Sequence, residues 1–234
     1  MALAKRVICV LTILDGVVFR TRRFRPDLRY TASQIDVTLA DELALIDIGT
    51  DRRAFFAAAD RILADAFVPV TLGGGVHTVA DVREMMLAGA DKVIVGRALS
   101  DAPDEIARMA EKFGAQALVA AVDDHGGKAR HSGLPTVDAA VRAQELGCGE
   151  ILLQSVERDG SLGGYDLTTL RSVCDAVSVP VIVCSGCGAW SHMAAGFVVG
   201  ASACGTNNIF HYTANSLTKA KAFLAGKGLP VRIP

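Results

Sequence analysis

The residues with chemical potential in this 234-residue chain lie in short polar and glycine-rich clusters, each just after an apolar run. They are Gly73, Gly74 and Gly75; Gly96 and Arg97; Arg158, Asp159 and Gly160; Ser185, Gly186, Cys187 and Gly188; and Thr206, Asn207 and Asn208. Glycine lets backbone N–H groups approach a phosphate closely, and a helix that starts there adds a favourable dipole. The clusters correspond at a fixed offset, Gly75 with Gly186 and Arg97 with Asn208. Two such cradles on opposite sides of one mouth suit a ligand phosphorylated at both ends, while the plainer use of the same glycines is in tight turns. The phosphate-binding candidates are Gly75, Gly96, Arg97, Asp159, Gly160, Gly186, Cys187, Asn207 and Asn208. Asp123 and Asp47 close apolar runs where a carboxylate can act as general acid or base on that ligand. At the same offset Asp123 is matched by Thr12, whose hydroxyl does not titrate near neutral pH, so chemistry that needs paired carboxylates lacks one of them. Asp47 reads more readily as an acceptor that holds neighbouring loop amides.

At the opposite ends of the runs stand four charged residues, Arg6, Glu42, Lys92 and Glu150. Alternating charges there suit a salt-bridged lid, or simply a stabilising ion-pair cluster. The five histidines show no metal spacing, and Cys184 and Cys187 form a C-x-x-C with no second pair, so no metal and no cofactor are expected. The six cysteines lie in apolar surroundings in a chain large enough not to need cross-links, which fits reduced thiols in the cytoplasm.

The elements that must position these residues follow from a repeat. VPVTLGGG at Val68 matches VPVIVCSGCG at Val179, AGADKVIVGRAL at Ala88 matches VGASACGTNNIF at Val199, and RVICVLTI at Arg6 matches ALVAAVDD at Ala117, each about 111 residues apart. Apolar runs at 6–12, 43–48, 68–72, 92–96, 117–123, 150–155, 180–184 and 203–206 read as eight strands. Amphipathic stretches such as DRRAFFAAADRILADA and PDEIARMAEKFG alternate with them, with Asp, Thr or Pro at the start and Gly after the end. Strict alternation implies right-handed crossovers and a parallel sheet. The expected fold is therefore an α/β architecture, a single (β/α)8 TIM barrel over 1–234, built from half-barrels of about 1–113 and 114–234. Only a short helix fits between Tyr30 and Asp41, so the first helix is expected to be shortened. An open doubly wound sheet is the alternative, disfavoured by the repeat and by the lack of G-x-G-x-x-G after the first strand.

Composition agrees. Hydrophobic residues make up 51% and aromatics 6%, a profile suited to strands buried on both faces. A formal net charge of -1 offers no basic field for nucleic acid. The N-terminal apolar run is too short to span a bilayer and reads as the first strand, so no membrane is expected.

Taken together, AKRVICVL, DELALIDI, VTLGGGVH, GADKVIVG, GEILLQSVERDGSLGGYD, VPVIVCSGCG and IFHYTANSL resemble, nearly end to end, the cyclase subunit family of imidazole glycerol phosphate synthase. The ERDG-x-x-x-GYD stretch is the most specific of these. The resemblance implies a glutaminase (class I glutamine amidotransferase) partner on the lower face, whose ammonia passes a charged gate and the barrel to a phosphorylated small-molecule substrate above. Arg6, Glu42, Lys92 and Glu150 match the gate positions, and Asp91 matches a position at the glutaminase interface. The family's two catalytic aspartates fall on Thr12 and Asp123. Gly96, Arg97 and Asn208 also depart from the family pattern, and the loop HGGKARHSGLPT is short. These departures resemble a branch associated with amidation of sugars for surface polysaccharide, as does TILDGVVFRTRRFRPDLRYT. The alternatives are the histidine-biosynthesis cyclase itself, a lyase, and a catalytically silent scaffold that activates a glutaminase. The related ribonucleotide isomerase is disfavoured by the four charged residues and by FHYT near the end.

Overall fold

The computed structural model describes residues 4–32, 40–64, 66–207 and 216–233, and the side chains of 30–32 and 216 are not described. Eight parallel strands close into a barrel: β1 (Arg6–Leu14), β4 (Glu42–Asp47), β5 (Val70–Gly73), β6 (Lys92–Val95), β7 (Leu118–His125), β9 (Glu150–Ser155), β10 (Val181–Cys184) and β11 (Ala203–Thr206). Closure is direct, since β11 pairs in parallel with β1, Arg6 opposite Ala203 and Cys9 opposite Thr206. That pairing excludes the open sheet. Around it run helices α1 (Arg52–Leu63), α2 (Val79–Leu87), α3 (Ala98–Asp101), α4 (Pro103–Phe113), α5 (Thr136–Glu145), α6 (Leu167–Ala176), α7 (Trp190–Val199) and α8 (Ser216–Gly226). The chain stops and starts them locally: Asp51 caps α1 through the Ala54 N–H, Thr78 and Asp81 form a reciprocal capping box on α2, and Pro103 opens α4.

Strand side chains alternate between two layers. Val7, Cys9, Leu11, Leu43, Leu45, Val93, Val95, Leu118, Ile151 and Leu153 face outward and pack with helix residues such as Phe55, Val82, Met85, Ile106 and Leu170. The intervening residues Ile8, Val10, Ala44, Ile94, Val119, Leu152, Ile182, Cys184 and Ala203 form a separate apolar cluster inside the barrel, with Ile46 and Ala121 against it.

Beyond the eight expected strands, β1 runs on and turns through Asp15–Gly16 into an antiparallel hairpin of β2 (Val17–Arg22) and β3 (Arg25–Ala32). Asp15 and Gly16 have φ of 46° and 84°, the geometry that Asp-Gly favours in two-residue hairpins. The loop after β7 is a second, smaller hairpin in which β8 (Lys128–Ala129) folds back on β7. The expected shortened first helix and the FHYT stretch lie in 33–39 and 208–215, outside the described residues.

Candidate functional site

At the N-terminal end of the barrel the inward-facing positions carry charge. Arg6 donates to Glu42 Oε1 at 2.6 Å and, from its other nitrogen, to Glu150 Oε1. Lys92 Nζ lies 2.8 Å from Glu150 Oε2 and 3.5 Å from Glu42 Oε2, which completes a ring of four alternating charges. The glutamates are nearly buried, with side chains 9% and 6% exposed, whereas both cations are 22% exposed. Burial by itself would lower the Arg6 guanidinium, but the hydrogen bond and charge of Glu150, aided by Glu42, hold it above its ordinary value. The four residues read from the sequence are thus brought together, with the apolar interior directly above them.

The same alternation places Thr12 on β1, Asp123 on β7 and Asn207 after β11 inward at the opposite mouth. Thr12 is already occupied: its hydroxyl donates to the Phe19 carbonyl of β2 and accepts from Asn207 Nδ2 at 3.3 Å. The hydroxyl therefore ties the hairpin to the barrel. Asp123 differs. Its Oδ2 is 3.7 Å from His131 Nε2, and its Oδ1 is buried with no hydrogen-bond partner among the described residues. Ser185 Oγ and Thr206 Oγ1 are likewise buried at strand ends without an oxygen or nitrogen partner among the described residues, and the Cys187 sulfur lies beside Thr206. Leaving such a group unpaired costs about 1–3 kcal/mol; of these, Asp123 has the inward strand parity, whereas Thr206, three places from inward-facing Ala203, faces the outer layer. Asp123 and Gly96 line a cavity of about 450 Å³ with Arg130 and His131.

Asp47 does not join this group. It stands five positions from inward-facing Glu42, so it faces outward, where it accepts from the Gly49 N–H at 3.0 Å and lies 3.7 Å from Arg52. Burial pushes its carboxyl up against the lowering by Gly49 and Arg52. Its structural use is the one observed. Among the proposed phosphate loops, Gly75 is exposed and open, with only Arg52 near the space a Cβ would fill. Arg97 is exposed at the start of α3. Gly160 and Gly186 are used differently. A Cβ on Gly160 would stand 2.7 Å from the Thr21 carbonyl and one on Gly186 2.4 Å from the Gly164 carbonyl, so both allow backbone to approach backbone. Asp159 accepts from the Phe24 N–H at 2.9 Å and anchors the hairpin. Its carboxyl is pushed up by burial, with the Asp123 charge adding to the effect. The Cys187 thiol is also raised by burial and, with Cys184, is free. Asn208 lies outside the described residues. Asp91 is exposed at the lower rim and accepts from the Val70 N–H at 2.8 Å.

Sequence reasoning missed His131, which has no motif, and the hairpin arginines, whose signal was Asp15–Gly16 between apolar residues followed by alternating Arg. A family model described as "Histidine biosynthesis protein" matches residues 6–216.

Proposed function

Because the chain belongs to the histidine biosynthesis protein family, a family of barrel enzymes, we propose that it receives ammonia from a glutaminase subunit on its lower face and delivers it to a phosphorylated substrate at the upper mouth. The observation that carries this reading is the ring of Arg6, Glu42, Lys92 and Glu150 under an apolar interior. An apolar lumen admits a small neutral molecule and resists an ion, because a charge without partners there forfeits its solvation. Partly exposed ion pairs at the entrance can exchange partners without leaving a bare charge. The lower rim adds apolar surface for a partner: Phe67 is 95% exposed and Leu87 83%, with Val198 and Ile233 also exposed at that end, and Asp91 stands among them. Above, Asp123 with its unpaired oxygen faces the substrate as general acid or base.

Amidation of a sugar for surface polysaccharide is the setting we assign, because Thr12 is committed to the hairpin and supplies no second acid–base group. The same commitment favours one further reading, a silent scaffold that activates the glutaminase and conducts its ammonia. Turnover of the doubly phosphorylated ribonucleotide of the histidine pathway, with excess ammonium, tests the assignment. The reading expects an inert wild type and a gain of activity in Thr12→Asp. Wild-type turnover that Asp123→Asn abolishes would instead make this an ordinary histidine-pathway lyase.

A further inference from the structure

A second concave surface lies beside the barrel mouth, sharing Arg130 with the Asp123 cavity and otherwise built from different residues. It is a cleft of about 920 Å³ between the β2–β3 hairpin and the loops after β7 and β9, and arginine dominates it. Arg22, Arg23 and Arg25 come from the hairpin and Arg130 from the loop after β7; all four are exposed. Arg130 stacks over the Phe24 ring at 5.7 Å, and none of the four has an acidic partner among the described residues. The acids of the cleft are engaged elsewhere. Asp27 is held by Arg29 at 2.9 Å and approached by Arg20 at 3.5 Å, Glu157 by His125 at 3.0 Å, and Asp159 takes the Phe24 N–H. In a chain of net charge -1, four guanidinium groups with no counter-charge among the described residues are therefore gathered around one hollow.

The backbone is strained to present them. Arg23 and Phe24, the two central residues of the hairpin turn, have φ of 52° and 60°. Both positions favour Asn or Gly, as the Asp15–Gly16 turn at the other end of β2 illustrates. Asp159 holds the turn from below: its carbonyl accepts the Arg23 N–H at 3.2 Å and its buried carboxylate the Phe24 N–H at 2.9 Å. A glycine turn would fold more easily and would lose the arginine and the ring.

We propose that this cleft is a binding site for an organic pyrophosphate, the chemistry of a nucleoside diphosphate. Guanidinium forks pair bidentately with phosphate oxygens, and several of them match the oxygens of two linked phosphates better than those of one. The hollow is far larger than a phosphate ion, and Phe24 and Pro26 give it an apolar wall for the organic part. The hairpin arginines do not line the Asp123 cavity, so variants at Arg23 and Arg25 test the cleft without touching the ammonia reading.

Calorimetric titration of the purified full chain at low salt, with inorganic pyrophosphate, inorganic phosphate and uridine diphosphate as probes, tests it. One-to-one binding of uridine diphosphate and pyrophosphate is expected, with phosphate at least about tenfold weaker. The double variant Arg23→Ala/Arg25→Ala, whose side chains are exposed, weakens pyrophosphate by about tenfold or more, while Arg83→Ala, at an exposed arginine of α2 outside the cleft, leaves it unchanged. Arg23→Gly separates binding from folding, since it raises the melting temperature as it weakens the ligand. Absence of pyrophosphate binding, phosphate binding as tight as pyrophosphate, an unaffected double variant, or equal loss in Arg83→Ala would each overturn the proposal.

Discussion

Glu150 is the hub of the lower ring, and its neutralisation gives a graded test of how the four charges are coupled. One carboxylate oxygen serves Arg6 and the other Lys92 at 2.8 Å, on a side chain 6% exposed. Glu150→Gln leaves two cations to share Glu42, which holds Arg6 at 2.6 Å but reaches Lys92 only at 3.5 Å. Breaking a fully buried pair costs about 3–5 kcal/mol. Here both cations are 22% exposed, so water recovers part of that, and about 2 kcal/mol is expected. For a chain of this length that lowers the melting temperature by about 4–8 °C. Glu42→Gln removes one close contact and one long one, and about half the effect follows. Thermal unfolding followed by circular dichroism, at low and high salt, reads both variants. Partial burial should leave most of the difference intact in high salt. Equal melting temperatures for the two variants, or no change in either, would refute the view that Glu150 joins both cations.

Two further outcomes follow from the hairpin. Arg23→Gly relieves one left-handed non-glycine residue and should stabilise the fold by about 1 kcal/mol in urea unfolding; a loss of stability would contradict the strain at φ 52°. The Asp159 carboxyl is raised by burial, so the folded chain binds its proton more tightly than the unfolded chain does. Its contribution to stability is therefore largest below the ordinary aspartate value and is lost as pH rises through the raised one. Asp159→Asn keeps an acceptor for the Phe24 N–H and should remove that dependence, so that the variant gains on wild type as pH rises through this window. Parallel stability–pH curves would sink the argument.

The eight barrel strands were legible because each is a short Val, Ile, Leu or Ala run with turn residues after it, and burial on both faces allows little else. The ring was legible for a related reason: charge at the first inward position of a strand stands out against an apolar run. Asp47 shows what parity adds, since Glu42 facing in forces a residue five places on to face out. The loop glycines were less transparent. Gly160 and Gly186 satisfy the same requirement, close approach without a Cβ, whether the neighbour is a phosphate or another segment's carbonyl, and the sequence does not say which. The hairpin depends on Asp159, more than a hundred residues from the turn it holds, and no local pattern records that contact.

The central claim is tested most directly by glutamine hydrolysis in a class I glutaminase subunit titrated with this barrel. The account predicts that hydrolysis rises to a plateau at one barrel per glutaminase, and that Phe67→Asp, at a side chain already 95% exposed, abolishes the rise while leaving the barrel folded. A glutaminase whose rate is unchanged by stoichiometric barrel, or is stimulated equally by the Phe67→Asp variant, would contradict it.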